Sequence, residues 1–155
     1  MRLAVFSDTH GCVSGMLSAA RRVRPDMIVH LGDYIRDAEA LRPEHPDIPI
    51  LALKGNCDFA SREEDTMTFP AGPVTVFATH GDRYGVKYGT DSLLCAAHFS
   101  GAALALYGHT HTALWQTCGG IQLLNPGSAG TGAHPSFALV EISASGGIDC
   151  RVIDI

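Results

Sequence analysis

Along the first third of the chain, short apolar runs break abruptly into polar, glycine-containing segments. This is the pattern of buried strands that each end at a loop. Leu3-Ala4-Val5-Phe6 is the first such run, and it stops at Ser7-Asp8-Thr9-His10-Gly11. The spacing then predicts a helix over Met16–Val23, with Ser14 as its N-cap and Pro25 just past its end. Met27–Leu31 reads as a second buried strand ending at Gly32-Asp33, and Arg36–Leu41 as a short helix. After a proline-rich loop, Ile50–Leu53 is a third strand that runs into Lys54-Gly55-Asn56-Cys57-Asp58. Strand–loop–helix units in succession predict a parallel sheet with right-handed crossovers.

Beyond residue 65 the pattern turns to hairpins. Thr66–Phe69 and Val74–Ala78 are short strands around Pro70-Ala71-Gly72-Pro73, and the second ends at Thr79-His80-Gly81-Asp82. Thr90–Phe99 predicts a helix with Asp91 near its start, where a negative charge suits the dipole. Ala103–Tyr107 is a strand ending at Gly108-His109-Thr110-His111. Leu114–Thr117 pairs with Ile121–Leu124 around Gly119-Gly120, Asn125–Ser128 is a turn, and Ser136–Ile142 pairs with Ile148–Ile153. The class is α/β of the mixed, α+β kind. No repeat, low-complexity segment or linker divides the chain, so residues 1–155 are expected to form one domain.

Composition excludes several classes. With 46% hydrophobic and 17% charged residues the chain has the profile of a globular protein, not a disordered one. A net charge of -5 and a pI of about 5.8 count against nucleic acid as a partner, because phosphate backbones recruit Lys and Arg. They do not count against a small phosphorylated substrate, since bound cations reverse the local sign. No apolar stretch is long enough to span a bilayer and no signal peptide precedes the first strand, so no membrane partner is expected. The cysteines are Cys12, Cys57, Cys95, Cys118 and Cys150, an odd set without a Cys-x-x-Cys pair. Reduced thiols in a cytoplasmic protein are the expectation.

Residue types that ligate metals recur at strand ends: Asp8 with His10, then Asp33, Asn56, His80, and His109 with His111. If the extended conformation persists past Phe6, Asp8 and His10 point the same way. In open α/β sheets, sites gather outside the carboxyl ends of the strands. Each residue alone has an ordinary structural reading. Asp8 and Asp33 could cap the helices that follow, Asn56 could sit in a turn, and His80 could be a satisfied core histidine. Their recurrence in one type of position argues for a shared metal site. Gly32, Gly55, Gly81 and Gly108 flank the candidates, as expected where backbones crowd together.

The series SDTHG, GD, GNCD, THGD and GHTH, with NPGS at 125–128, resembles the calcineurin-like metallophosphoesterases. Within them it is most similar to the small phosphodiesterases of the YfcE and MJ0936 type. The resemblance implies a four-layer α-β-β-α sandwich and a dinuclear centre of two divalent ions. Mn²⁺ leads the expected ions, with Ni²⁺, Fe²⁺, Zn²⁺ or Mg²⁺ as alternatives. Asp8, His10, Asp33 and His111 are implied as ligands of one ion, and Asn56, His80 and His109 as completing the second, with Asp33 bridging. Two cations about 3.5–4 Å apart need a bridging anion, which a carboxylate supplies. Imidazoles and an amide oxygen suit mid-row divalent ions, and the absence of a ligand thiolate argues against a closed structural zinc site. The implied activity is hydrolysis of small or activated phosphodiesters by a hydroxide bridging the metals. No protein nucleophile is required, so Ser7, Ser128 and Cys12 are read as structural.

Two positions depart from the family pattern. Many larger members carry a histidine after Gly-Asn that is thought to protonate the leaving group, whereas Cys57 stands here, as it does in the YfcE-like subgroup. A thiol is a weak donor, so acid assistance is in question, and Asp58 loses the partner it would orient. Asp82 stands where the subgroup often has histidine, and is read as a loop-capping carboxylate or as outer support for a ligand. Arg83, Tyr84 and Lys87 are read as solvated surface, with contact to substrate phosphate as the alternative. Two other functions share the resemblance: an interaction scaffold of the Vps29 kind with little catalysis, and a nuclease using the same metals. A homo-oligomer is compatible with all three.

Overall fold

The computed structural model describes residues 1–155. In chain order its strands are β1 (Arg2–Phe6), β2 (Met27–His30), β3 (Ile50–Ala52), β4 (Thr66–Ala71), β5 (Val74–Thr79), β6 (Leu104–Leu106), β7 (Leu114–Cys118), β8 (Ile121–Asn125), β9 (Ser136–Ile142) and β10 (Ile148–Asp154). Helix α1 (Val13–Val23) follows β1, and α2 (Asp91–Phe99) precedes β6.

The strands form two five-stranded mixed sheets. The first runs β10-β9-β1-β2-β3, with β1, β2 and β3 parallel and β9 antiparallel to β1. The second runs β4-β5-β6-β8-β7, with β5, β6 and β8 parallel and a hairpin at each side.

The unbroken apolar runs follow from burial on both faces. In β1, Leu3 and Val5 enter the core between the sheets, while Ala4 and Phe6 turn outward beneath α1. In β6, Leu104 and Leu106 enter the same central core, and Ala105 faces α2. Helix α1 covers its sheet through Met16, Ala19 and Ala20, which recur at i, i+3 and i+4, and α2 uses Leu93 and Ala97. Three apolar layers therefore separate four structural layers, α-β-β-α. No helix is long and apolar enough to cross a membrane.

Several boundaries differ from the sequence reading. Helix α1 begins at Val13 and not Met16, and Ser14 lies exposed inside its first turn; Cys12 is the N-cap and makes no side-chain cap bond. The reason is the loop before it. Asp8, His10 and Gly11 take φ of 54°, 46° and 87°, so the chain folds back at once. The same left-handed residues end the extended conformation, so Asp8 and His10 do not share a strand face as expected; the turn, and not the strand, brings both side chains to one cluster. The segment Ile35–Leu41 is a 3₁₀ helix, entered from Tyr34 at φ 67°. No helix follows β3: residues 53–65 are turns closed by the Lys54 N–H donating to the Glu64 carbonyl at 3.0 Å. The β4–β5 turn shrinks to Gly72-Pro73, with Pro70 and Ala71 inside the strand.

Candidate metal centre

All six parallel strands point their carboxyl ends to one end of the sandwich. Asp8 and His10 follow β1, Asp33 follows β2, Asn56 follows β3, His80 follows β5, and His109 and His111 follow β6. The seven candidates therefore meet across the two sheets. His111 Nε2 lies 3.1 Å from Asp8 Oδ1 and 3.4 Å from His10 Nε2, and His10 Nε2 lies 3.9 Å from Asp33 Oδ2. On the other side His80 Nε2 lies 3.1 Å from Asn56 Oδ1, 3.5 Å from Asp33 Oδ1 and 4.0 Å from Asp8 Oδ1. Asp33 thus offers one oxygen to each group. His109 packs its ring edge-on to His80 at 5.0 Å and donates its backbone N–H to Asp8 Oδ2 at 3.1 Å. Asp8, Asp33 and His80 are buried, His10 and His109 partly so, and His111 and Asn56 reach solvent.

The backbone is strained where the ligand types stand. Asp8, His10, Asp33, His109 and His111 all have left-handed φ, between 46° and 67°. Such conformations cost about 1–3 kcal/mol each and persist only where surroundings hold them. Close approach explains two of the glycines. A Cβ at Gly108 would overlap Ser7 Oγ, and one at Gly55 would overlap the Asp33 carboxylate.

Hydrogen bonds fix the protonated nitrogen of each key imidazole. His80 Nδ1 sits 2.9 Å from the Leu31 carbonyl, which can only accept, so the proton is on Nδ1 and the lone pair on Nε2. Ser128 Oγ donates to the Asp8 carbonyl at 2.7 Å, leaving it to accept from Thr131 Oγ1 at 2.8 Å. Thr131 Oγ1 in turn accepts from His111 Nδ1 at 3.2 Å, so the His111 lone pair also lies on Nε2. Both lone pairs face carboxylate oxygens. Asp8 Oδ1 is buried and accepts no hydrogen bond, although His111 Nε2 is near. Aimed at one another without a proton between them, these groups repel unless a cation lies among them. The donor set of oxygen and imidazole nitrogen therefore fits divalent metal ions.

Electrostatics agree. Burial works to raise the Asp33 pKa, but the Cys57 N–H at 2.8 Å and thiol, together with the charge that His80 and His10 carry when protonated, outweigh it and hold the carboxyl below its usual range. Burial, with His80 beside it, lowers the pKa of His109, which favours the neutral, ligating form. Loss of water around the Cys57 sulfur, a hydrogen bond to Asp33 and nearby carboxylates push its thiol up to about 11. Cys57 keeps its proton at neutral pH. Its sulfur still lies within 4.8 Å of ligand atoms of His10 and Asp33, so it faces the centre.

Sequence reasoning missed several supporting residues. Ser7 Oγ donates to Asp8 Oδ2 at 2.5 Å. His30 is fully buried and its pKa falls to about 4, chiefly through burial. It accepts from the Gly32 N–H at Nδ1 and donates from Nε2 to Thr9 Oγ1 at 3.1 Å; Thr9 then donates to the Asp33 carbonyl. A histidine closing the apolar run Met27–Leu31 was the available signal for this network. Thr131 carried none, being 20 residues from His111. Asp58, read as having lost the partner it would orient, accepts from the Ile35 and Gly55 N–H groups and ties two site loops together. Arg83 forms an ion pair with Asp65 at 2.8 Å, in keeping with solvated surface, whereas Tyr84 packs on Phe77.

Comparison with known proteins adds the family. A probable metallophosphoesterase of Bacillus subtilis, YsnB, is 32% identical over 131 residues, covering 83% of this chain and 75% of that protein. Among solved structures, Vps29 of Entamoeba histolytica complexed with zinc has a TM-score of 0.79 at 22% identity, covering 99% of each chain. The E. coli phosphoesterase YfcE has a TM-score of 0.69 at 20% identity, covering 99% of this chain and 98% of that one. At these identities the structural likeness speaks for the fold. Residues 1–145 match the calcineurin-like phosphoesterase superfamily domain, and the chain belongs to that metallophosphoesterase family.

Proposed function

We propose that the chain is a phosphodiesterase that hydrolyses small or activated phosphodiesters with two divalent ions bound, acting as one domain over residues 1–155. Asp8, His10, Asp33 and His111 would hold one ion and Asp33, Asn56, His80 and His109 the other, with Mn²⁺ as the foremost candidate. Bound there, the ions would supply Lewis acidity, lowering the pKa of water and neutralising charge on the phosphoryl oxygens. The observation that carries the reading is the pair of imidazole lone pairs, on His80 and His111, aimed at the two buried carboxylates.

The protein's own part is positioning. The Leu31 carbonyl and the Thr131 hydroxyl hold two rings in register, and Ser7 with the His109 N–H holds Asp8. No group that titrates near neutrality stands at position 57, because the Cys57 thiol is pushed up to about 11. When water's oxygen bonds to phosphorus, the alcohol oxygen leaves on its own stability, which favours activated esters. Five free cysteines fit a reducing cytoplasm.

The test is a panel of phosphomonoesters, phosphodiesters and cyclic nucleotides assayed with Mn²⁺, Ni²⁺, Mg²⁺ and Zn²⁺, alongside elemental analysis. Two ions per chain and turnover of diesters are expected. A stoichiometry that stays at one would refute the dinuclear reading. Absence of turnover on the whole panel would favour a scaffold of the Vps29 kind.

A further inference from the structure

Beside the candidate metal centre a pocket of about 700 Å³ opens at the side of the sandwich where edge strands β3 and β4 flank the gap between the sheets. Nine of its fifteen lining residues are hydrophobic. Its floor is the edge of the core itself: Leu51 on β3 and Met67 on β4 pack against the central cluster, and Ile50 against the outer one. A volume within about 300–1,000 Å³ with mainly apolar walls is the form of a small-molecule site.

Two observations join the pocket to the centre, and a third concerns its rim. Cys57 lines the pocket, and its sulfur lies within 4.8 Å of ligand atoms of His10 and Asp33. Tyr34 lines it too and sets its ring edge-on to His10 at 5.4 Å, held there by a left-handed backbone that a tyrosine rarely adopts. Phe59, on the loop after β3, is 94% exposed at the rim, an unfavourable place for a phenyl ring with nothing to cover. Part of the polar lining is already paired: Asp58 is satisfied by two backbone N–H groups and Arg42 is paired with Glu39 at 2.8 Å, which leaves the Arg36 and Glu63 side chains as its charged groups without an ion-pair partner.

Resting on the phosphoesterase reading above, we infer that this pocket receives a planar, largely apolar ring carried by the substrate's ester group, so that the natural substrate is an aryl- or heteroaryl-bearing phosphoester. With phosphate at the centre, a ring attached through one ester oxygen would reach past Cys57 to lie between Tyr34 and Phe59. The apolar floor would take its face and the exposed aromatics would cover it.

The test measures binding, without turnover, of methylphosphonate, phenylphosphonate and 2-naphthylphosphonate to the Mn²⁺-loaded protein by calorimetry. From methyl to naphthyl the affinity should rise about tenfold or more, as ring surface leaves water. Phe59→Ala and Met67→Gln should each reduce that ratio, and Phe59→Trp should keep it. Phe59 is so exposed that its replacement does not threaten the fold. A ratio near one in the wild type, with methylphosphonate still bound, overturns the ring pocket and leaves the phosphoesterase reading intact. An unchanged ratio in both Phe59→Ala and Met67→Gln also overturns it, because the gain then arises elsewhere. If none of the three phosphonates binds while diesters are turned over, the ring pocket fails and the phosphoesterase reading stands; if neither binding nor turnover of the ester panel is seen, both fail.

Discussion

Replacing Thr131 by valine isolates the support of one proposed ligand, His111. Valine copies the shape of threonine but has no hydroxyl, so the acceptor for His111 Nδ1–H at 3.2 Å disappears, together with the bond to Ser128 Oγ. Ser128 keeps its own bonds to the Asp8 carbonyl and from the Thr131 N–H, so the loop's backbone has no reason to move. What is lost is the orientation of one imidazole and its preference for the Nδ1–H tautomer. Outer partners of metal-bound histidine are worth about 10–100-fold in affinity. The His111 side chain is 40% exposed, so water can take over part of the role, and the low end, about tenfold, is the expectation. That corresponds to about 1.4 kcal/mol. Chelator competition with Mn²⁺ reads the affinity directly. Thermal unfolding supplies the control: the metal-free melting temperature should stay put, while at saturating Mn²⁺ the stabilisation by metal should shrink by about 1.4 kcal/mol, or about 3–6 °C. Thr131→Ser should restore both. Wild-type affinity in Thr131→Val, or a serine variant as weak as the valine one, would refute the relay.

Asp33→Asn keeps the shape and an acceptor for the Cys57 N–H but removes the charge between the two ligand groups; phosphodiesterase activity should fall by at least about 100-fold in a protein with unchanged circular dichroism. Wild-type turnover would move the chemistry elsewhere. Because Cys57 keeps its proton, log rate should fall steeply with leaving-group pKa across aryl and alkyl diesters, and Cys57→His should flatten the slope, raising the rate on poor leaving groups by less than the roughly 10²–10⁴-fold of well-placed acid catalysis. A shallow wild-type slope with chemistry rate-limiting would show that another group donates. His30 contributes to the pH dependence of folding. Its folded pKa of about 4 lies below the ordinary value of 6.5, so the unfolded chain binds the proton first as pH falls. The stabilisation is whole above about pH 6.5 and drains away toward pH 4. Between pH 7 and pH 5 the metal-free protein should lose about 2 kcal/mol through this residue, measured by urea unfolding against His30→Gln. Equal losses in the two proteins would exclude it.

The apolar runs announced β1, β2 and β6 because these strands are buried on both faces, and β3 because Leu51 packs on the central cluster and Ile50 on the outer one although the strand is a partly buried edge. The site residues were legible for a related reason. Each parallel strand ends on one edge of the sandwich, so the polar residues at those ends could be collected from sequence before their partners were known. The boundaries around the site were not legible. Helix α1 starts early and the segment after Asp33 winds as 3₁₀ because Asp8, His10 and Tyr34 adopt left-handed conformations against their intrinsic preference. Only contacts from elsewhere hold them there, such as the Asp8 N–H on the Gly32 carbonyl and the His109 N–H on Asp8.

By itself, then, the order of apolar runs and the residues at their ends determined the sheet-forming strands, the family resemblance and the inventory of ligand types. Those are local properties, written within a few residues of each other. Only the tertiary structure decided which nitrogen of His80 and of His111 carries the proton, that Asp33 turns one oxygen to each group, and that a pocket opens between β3 and β4 beside the centre. These depend on groups 20 to more than 100 residues apart, such as Thr131 with His111 and His111 with His10, and no pattern along the chain records a distance of that kind.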